Sequence, residues 1–327
     1  MLTDDVAIVV EADDDVGARI DVVLGRRVAG LSRRVARAVA LAGGVTRNGA
    51  RARPSDRAAR GDRLELRRHS TLPPASLDVL TVTERFVYVA KPAGTHTHRL
   101  RPDEPGALAD AVARAFPECA DASAVPREGG AIHRLDRETT GVVAFARTPG
   151  AWLEGRRAIR HPGALKLYVA LCHAPDDPRW PPQLPGVQPH EPAALPLPPQ
   201  LPVPTQPQTV IVSLPLGRGG SRREVAVRPG GHPAQSLVTP LAGGPTHWLV
   251  ALHLRQGHRH QARVHLAALG LPIDGDGRYG GGEGALALHA VVLDLGAACS
   301  GEPRVVCPLP AVLAERLDAL ALHTRGA

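Results

Sequence analysis

A proline-rich segment places the strongest constraint on how this chain can fold. Residues 175–207 contain 13 prolines in 33 positions. Proline fixes its own backbone φ angle and has no amide hydrogen to donate, so the segment is not expected to supply a regular helix or a strand ladder. We predict a polyproline-like or disordered insertion at the surface, with a docking site for a proline-recognising partner as the alternative.

Positive charge is concentrated in another short stretch. The chain has a net charge of +7, and residues 1–16 contain six acidic residues but no basic one. Residues 17–68 contain 14 arginines and four acidic residues, a net charge of +10. Basic residues clustered in this way are typical of a nucleic-acid-binding module. The sequence therefore predicts an acidic tail over residues 1–16, followed by such a module.

Composition argues against several other classes of protein. Aromatic residues make up only 3% of the chain, so binding through a platform of stacked rings is not expected. The four cysteines show no C-x-x-C spacing, which favours a reducing compartment and argues against metal binding through sulfur. Because there is no signal-peptide pattern and no run of 18 apolar residues, we expect a cytoplasmic protein with no membrane partner. We also expect a monomer.

Residues 17–70 are predicted to form a compact unit. Ser32 is placed to cap a helix that ends at Gly43-Gly44. Asn48-Gly49 then separates two short strand-like runs, which is the signature of a type I′ hairpin, and Arg63–Leu66 is a further strand. The pattern predicts one small α/β domain, with a linker after it at residues 69–76.

Three arginines, Arg33, Arg34 and Arg37, fall on one face of the predicted helix. An ordinary solvated helix face is the alternative to a phosphate-binding one, but the hairpin and the local charge favour phosphate binding. The unit also resembles the S4 RNA-binding domain, and this resemblance implies that the helix and hairpin face RNA. The matching residues are Arg19-x-Asp21-x-x-Leu24, Leu31-Ser32-Arg33, Gly44-Val45-x-x-Asn48-Gly49, Pro54-Ser55 and Gly61-Asp62.

The most chemically informative run is His133-Arg134-Leu135-Asp136-Arg137, which lies between two apolar strand-like segments. Asp136 is flanked by Arg134 and Arg137, which would hold the carboxylate ionised. An ionised carboxylate in a cleft can act as a nucleophile or as a general base. A loop held together by Asp–Arg ion pairs is the structural alternative.

Two further segments carry polar side chains. Strand alternation in Leu165–Leu171 places Lys166 and Tyr168 on the face opposite the leucines, so Tyr168 either faces a cleft or is a structural tyrosine at a sheet edge. The segment Gln256–His265 is a loop entering a helix and contains three histidines. Its spacing lacks the glutamate of an H-E-x-x-H zinc site, so a metal site is not expected there.

Together these segments resemble the RluA-type pseudouridine synthase family over residues 77–296, outside the proline-rich insertion. The matching motifs are Lys91-Pro92-Ala93-Gly94, His133–Gly141, Lys166–Ala170, Gly257–His265, Gly275–Gly280 and Leu288-His289-Ala290. Thr140 replaces the serine usual in the family, and the chain departs from the family pattern at four further positions, namely Arg99, His258, Arg259 and Asp274. These departures bear on the choice of target more than on activity.

The resemblance implies an α+β fold for residues 77–327, with a mostly antiparallel central sheet, preceded by the small S4-like domain. It also implies isomerisation of a uridine in RNA to pseudouridine without cofactor or metal, with Asp136 as the catalytic carboxylate. Arg263 would pair with Asp136, Tyr168 would stack on the uracil, Arg134 would fill the gap left by a flipped base, and Lys166 would contact the RNA.

An S4-like domain joined to such a catalytic domain suggests ribosomal RNA of the large subunit as the target, with transfer RNA as the variant. Two functions of other classes are kept as alternatives. One is a non-catalytic S4-type RNA- or ribosome-binding protein, and the other is a histidine-metal hydrolase. The sequence leaves open whether Asp136 attacks the substrate or removes a sugar proton.

Overall fold

The computed structural model describes residues 6–29, 31, 33–41, 44–66, 77–100, 106–174, 180–191, 195–204, 208–221 and 224–322. These residues form a four-stranded sheet near the N-terminus, a ten-stranded sheet and a two-stranded hairpin. Among the described helices, none combines the length and hydropathy needed to cross a bilayer.

The N-terminal sheet follows the predicted pattern. Its elements are β1 (Val6–Val9), α1 (Ile20–Arg27), α2 (Arg33–Leu41), β2 (Val45–Arg47), β3 (Ala50–Arg51) and β4 (Arg63–Leu66). The strand order is β1-β4-β2-β3, and all neighbours are antiparallel. Asn48 and Gly49 have φ angles of 53° and 81°, as a type I′ turn requires. The hairpin is confirmed, whereas Ser32 and Gly43 lie outside the described residues.

The acidic segment is not a separate tail over its described part. Val6–Val9 forms β1 and pairs with β4, with Val6 and Ile8 packed against the domain core. Further along, Asp14 and Asp15 form ion pairs with Arg27 at the end of α1. The prediction of a tail over residues 1–16 is therefore wrong for residues 6–15. Val6 and Ile8 have the alternate spacing of a strand, but the prediction considered only the acidic residues of this segment.

The larger sheet is built from strands that lie between residues 78 and 306. Its strands are β5 (Asp78–Val82), β6 (Phe86–Lys91), β7 (Thr140–Ala146), β8 (Leu165–His173), β9 (Val187–His190), β10 (Thr209–Ser213), β13 (Gln235–Gly243), β14 (His247–Leu254), β15 (Leu288–Asp294) and β16 (Val305–Val306). The hairpin consists of β11 (Leu216–Arg218) and β12 (Val225–Val227). The helices are α3 (Leu108–Ala115), α4 (Pro149–Ala158), α5 (Gln261–Ala268) and α6 (Ala311–Ala319).

The order of strands in the large sheet is β5-β6-β7-β15-β8-β14-β13-β10-β9, with β16 attached to β15. Of the strand pairs in this sheet, only β7 with β15 is parallel. The mostly antiparallel sheet predicted for the chain is thus confirmed. Helices α5 and α6 pack against one core cluster, which includes Leu266 and Leu317, and α4 packs against a second one around Phe86.

The described parts of the proline-rich segment, residues 180–191 and 195–204, are more ordered than the sequence predicted. Val187–His190 forms the edge strand β9, which pairs with β10, and Leu201 is only 2% exposed in the core. The prediction of a polyproline-like or disordered insertion is wrong for these residues. An edge strand tolerates proline because one row of its amide groups has no partner strand, and Pro189 uses this freedom.

Candidate active site

Asp136 lies in a loop just before β7, and neighbouring segments hold this loop in place. The hydroxyl of Thr97 accepts a hydrogen bond from the Leu135 amide at 3.1 Å and donates to the Leu135 carbonyl at 3.2 Å. Nζ of Lys91 donates to three backbone carbonyl oxygens, including that of Arg137 at 2.8 Å. The K-P-A-G segment and the loop of Asp136 are therefore tied together through buried polar contacts.

A glycine brings the same loop close to the neighbouring strand. Gly141 is opposite Ala290 in the parallel pairing of β7 with β15, and its φ angle is +125°. A Cβ atom at this position would lie 2.3 Å from the carbonyl oxygen of Ala290. Only glycine can combine this φ angle with so close an approach. The last residue of the motif at His133–Gly141 thus has a packing reason, since it lets Asp136 sit beside β15.

Asp136 opens onto a cavity of about 570 Å³. Two carboxylates, Asp136 and Glu138, line it together with five arginines, namely Arg134, Arg137, Arg259, Arg263 and Arg278. A smaller cavity of about 50 Å³ continues from Asp136 to Tyr168. The five guanidinium groups outnumber the two carboxylates, so the cavity favours the binding of a polyanion. A reacting group of that polyanion could then approach the partly buried Asp136.

Burial raises the pKa of the Asp136 carboxyl above 3.8, its ordinary value. The positive charges of Arg263, Arg134, Arg259 and Lys91 act in the opposite direction but do not cancel this effect. Arg134 thus favours the ionised form, as predicted, but burial outweighs the arginines and the net shift of the pKa is upward. Arg137 instead donates a hydrogen bond to the carbonyl of Gly94 at 2.9 Å.

Arg263 approaches Asp136 from α5 but binds another carboxylate more tightly. Its Nη1 lies 4.0 Å from Oδ2 of Asp136. Its Nε and Nη2 donate to the two oxygens of Asp276 at 2.7 and 2.6 Å, a bidentate pair in which Asp276 is fully buried. Asp276 therefore fixes the guanidinium in the position from which it faces Asp136.

His260 is the second group that α5 presents to Asp136. It precedes the helix with a φ angle of 56°, and burial lowers its pKa to about 3, so the ring is neutral at pH 7. The amide of Val225 donates to the Tyr279 hydroxyl at 3.1 Å, and that hydroxyl lies 2.7 Å from Nδ1 of His260. If the hydroxyl donates to Nδ1, the ring hydrogen is on Nε2, which lies 3.9 Å from Oδ2 of Asp136.

Tyr168 lies near the middle of β8, opposite Leu252 and Ala290. Burial raises the pKa of its hydroxyl, and the charge of Asp136 adds to this effect, so the phenol stays protonated. Its ring lines the smaller cavity beside Asp136 and Arg263. The three residues predicted from separate motifs therefore surround one space.

Comparisons with known proteins show the family of this chain. The sequence model of the RNA pseudouridylate synthase family matches residues 85–268. This chain belongs to that family. It is thus an RNA-modifying isomerase, and the synthase shares its overall α+β fold with known members.

Two relatives illustrate the extent of the similarity. An uncharacterized RNA pseudouridine synthase of Chloroflexus aurantiacus is 30% identical over 71% of this chain and 67% of its own length. The protein named ribosomal large subunit pseudouridine synthase D of Xanthomonas campestris is 29% identical over 94% of this chain and 90% of its own length.

A solved structure shows the fold. Human RNA pseudouridylate synthase domain containing 4 superimposes with a TM-score of 0.52 at 21% identity, covering 76% of the synthase and 95% of that chain.

Some predicted residues of the synthase lie elsewhere. Lys166 is only 8% exposed, and its ammonium group donates to the carbonyls of Ile159 and Arg255 at 3.1 and 2.9 Å, so RNA contact at Lys166 is not supported. His258 contacts the carbonyl of Pro233 at 2.9 Å, whereas Arg259 beside it lines the large cavity. The side chain at position 259 thus brings a positive charge to the cavity.

Several groups in or around the cavities were missed by the sequence prediction. His260 lines both cavities, and Lys91, Asp276 and Tyr279 contact residues of the site from outside them. All four stood within the quoted motifs, but no role was assigned to them. His98, outside those motifs, also lines the large cavity, and its Nδ1 lacks a hydrogen-bond partner among the described residues. Motif membership was the available signal for the first four, but only the folded chain reveals that they lie around one carboxylate.

Proposed function

We propose that the synthase isomerises a uridine in ribosomal RNA of the large subunit and that Asp136 is the catalytic carboxylate. The observation that carries this proposal is the position of Asp136, partly buried in an arginine-lined cavity with Tyr168 and Arg263 beside it. The choice of RNA rests on the relatives from Xanthomonas campestris and Pseudomonas aeruginosa, which are named ribosomal large subunit pseudouridine synthase D.

The target uridine must leave its stack to reach Asp136. Flipping a base costs a few kcal/mol in a duplex and less in a loop or bulge, so an unpaired uridine is the favoured target. Tyr168 would stack on the uracil, which contributes about 1–3 kcal/mol per base in single-stranded recognition. Arg134, exposed at the cavity, would fill the space that the base leaves, and the other cavity arginines would bind flanking phosphates.

The chemistry breaks the bond between the sugar and the uracil nitrogen and joins the sugar to carbon 5 of the base. Carbon 5 loses its proton and the released nitrogen gains one, so that the product is an isomer of the substrate. Asp136 would either attack the substrate or remove a sugar proton, and both routes require the ionised carboxylate. Arg263 and the Nε2 hydrogen of His260 face its Oδ2. They would orient the carboxylate and compensate for charge that moves between it and the substrate.

The hydroxyl of Tyr279 would act through His260. Replacing Tyr279 with Phe removes the partner of Nδ1 and so releases the ring hydrogen from Nε2. We expect kcat/KM to fall about tenfold, the order of loss typical when a hydrogen bond that orients a functional imidazole is removed, while RNA affinity stays the same. Single-turnover pseudouridine assays and filter binding measure the two quantities. Unchanged turnover in Tyr279→Phe would remove His260 from this scheme.

Asp136 also sets an expectation for the pH dependence. Its pKa is raised by burial, so the ionised form is lost as pH falls through a value above 3.8, and the acidic limb of kcat/KM should have its midpoint above 3.8. Arg259→Gln removes a charge that lowers this pKa, so the limb should move to still higher pH. Arg304→Gln, at an exposed ion pair with Asp294, is the control. A limb that moves down in Arg259→Gln would contradict the assignment.

We propose that residues 6–66 form a separate RNA-binding domain that precedes the catalytic domain. Arg33 and Arg37 are exposed on α2, and Nε of Arg33 lies 3.7 Å from Oδ2 of the buried Asp21. The side chain of Arg34 lies outside the described residues. The two described arginines supply adjacent positive charges on one helix, which suits contacts to RNA phosphates.

The double variant Arg33→Gln/Arg37→Gln tests these contacts. If each arginine neutralises one phosphate, the slope of log K against log salt should become less steep by about 1.5 to 2. Affinity should fall, whereas kcat at saturating RNA should remain. Arg114→Gln/Arg160→Gln removes the same charge from exposed positions of the other domain. If both pairs change the slope equally, α2 has no special part in binding.

Mapping pseudouridine in total RNA from cells with and without the gene tests the whole proposal. We expect the loss of one or a few sites in large-subunit ribosomal RNA. Loss confined to transfer RNA would overturn the choice of target but not the catalytic role. The synthase is also proposed to act in the cytoplasm, because its four cysteines are free and buried, as suits a reducing compartment. Its proposed oligomeric state is a monomer.

A further inference from the structure

Three side chains with metal-binding chemistry meet at the outer end of β8. His173 is the last residue of β8 and lies directly opposite His247, the first residue of β14. Their ring centroids are 4.9 Å apart, with 36° between the ring planes. Asp274 adds a carboxylate, and one ligand atom from each of the three residues lies within 4.8 Å of the others.

The backbone holds this arrangement in place. Residues 272–274 run beside the last residues of β8, where the pairing of β8 with the first residue of β15 has ended. The amide of His173 donates to the carbonyl of Pro272, and the amide of Asp274 donates to the carbonyl of Leu171, both at 2.9 Å. Leu171 and His173 point to the same face of the strand, because side chains alternate. Asp274 therefore lies diagonally across from His173 on the face that also carries His247.

We propose that His173, His247 and Asp274 bind a divalent transition-metal ion, with zinc as the ion that fits best. Two imidazoles and one carboxylate are an ordinary ligand set for zinc, and solvent would complete the coordination. Ligand atoms around zinc lie roughly 3.3 Å apart at bond lengths of about 2.0–2.2 Å. The ligand atoms must approach one another by up to about 1.5 Å, and rotation of the partly exposed side chains provides this movement.

Neighbouring groups orient the ligands. Nε2 of His173 lies 3.1 Å from the carbonyl of Gly281, and Nδ1 of His247 lies 3.1 Å from the hydroxyl of Thr246. Metal-binding imidazoles commonly have one ring nitrogen hydrogen-bonded in this way, which fits binding of His247 through Nε2. In His173 the bonded Nε2 is also the nitrogen nearest Asp274, so this ring would exchange its contact with Gly281 for the ion. Arg316 lies 3.4 Å from Oδ2 of Asp274, whereas Oδ1 faces His173 at 3.6 Å. The guanidinium thus opposes a cation by its charge but turns one carboxylate oxygen toward the histidines.

This site is distinct from the catalytic cavity. His173 is five positions beyond Tyr168 on the same strand, which places it roughly 17 Å away. Asp274 is also one of the departures from the family pattern seen in the sequence. The ion would clamp the ends of β8 and β14 to residues 272–274, just before the turn that carries Asp276 and Tyr279. It would therefore stabilise the fold and take no part in the isomerisation.

Zinc titration of the purified full-length protein, first stripped with chelator, tests the proposal. Calorimetry should show one zinc ion bound per chain, and His247→Ala and Asp274→Asn should each weaken binding by at least about a hundredfold. His232→Ala is the matched control, because His232 stacks on His258 at 5.8 Å in another histidine pair. Affinity in the control and pseudouridine formation in all variants should stay within about twofold.

Two results would overturn the site. One is a wild-type chain that binds no stoichiometric zinc, and the other is equal affinity in all three variants, which would locate the ion elsewhere. Cobalt provides a test that needs no variant, since it takes the same kinds of ligand as zinc. An intense visible absorption band supports a low-coordinate site with nitrogen ligands, whereas the weak band of hydrated cobalt argues against it. Unchanged melting temperatures of the ion-free variants verify that they fold.

Discussion

Asp136→Asn should lower kcat/KM for pseudouridine formation at least about a thousandfold, since removal of a group that attacks the substrate or transfers its proton typically costs 10²–10⁴ or more. The amide has nearly the same shape but cannot accept a proton or form the covalent bond. RNA affinity should stay within about threefold, because the phosphates contact arginines and not this carboxylate. A carbodiimide-based pseudouridine assay and filter binding measure the two effects.

The same variant should not lose stability. The folded state holds the pKa of Asp136 above its unfolded value, so the ionised carboxylate at pH 7 is disfavoured by folding. A neutral amide removes that cost, and the melting temperature at pH 7 should equal or exceed that of the wild type. A lower melting temperature would mean that Asp136 serves mainly as a structural partner of Arg263 and His260.

Glu138→Gln is the matched control for Asp136→Asn. Both carboxylates line the large cavity, and their sequence positions differ by only two. Glu138 is exposed and lies 3.6 Å from Arg137 in a solvent-facing ion pair. Such pairs contribute little, so turnover should change less than threefold. If Glu138→Gln were as inactive as Asp136→Asn, the assignment of one catalytic carboxylate would fail.

Local patterns predicted much of the fold because their causes are local. The hairpin at Asn48-Gly49 follows from two residues that tolerate positive φ, and helix α5 follows from apolar spacing after a polar loop. The prediction failed where tertiary pairing overrides composition. Proline content argued against strand β9, yet a strand at the edge of a sheet needs fewer amide donors. The acidic residues near β1 argued for a tail, although β1 pairs with β4.

The site was predictable in part for the same reason. Motifs supplied Asp136, Tyr168 and Arg263, which lie in separate segments but line adjoining cavities. Lys166 lies on the same strand as Tyr168, but only the packing of the folded chain reveals that its ammonium group is enclosed by backbone carbonyls. The sign of the pKa shift at Asp136 is also a property of burial, which a local count of arginines cannot provide.

Asp276 is expected to be the residue outside the catalytic carboxylate whose loss is most damaging. Its carboxylate binds Arg263 through two hydrogen bonds and also accepts from the amides of Arg278 and Tyr279 at 3.2 and 3.3 Å. Asp276→Leu removes all of these contacts and leaves the mostly buried Arg263 without its main partner. Breaking a buried ion pair in this way costs about 3–5 kcal/mol, so both stability and kcat/KM should fall.

A double-mutant comparison separates the two effects of Asp276. Arg263→Leu/Asp276→Leu removes both charges, so urea unfolding should show that it recovers part of the stability lost in Asp276→Leu. Activity should not recover, because Arg263 faces Asp136 and the leucine cannot replace it. Asp294→Asn is the control, since Asp294 and Arg304 form an exposed pair at 2.9 Å whose loss costs less than about 1 kcal/mol. Recovery of turnover in the double variant would mean that Arg263 acts only as a structural partner of Asp276. The orientation of Asp136 would then depend on His260, which directly precedes α5.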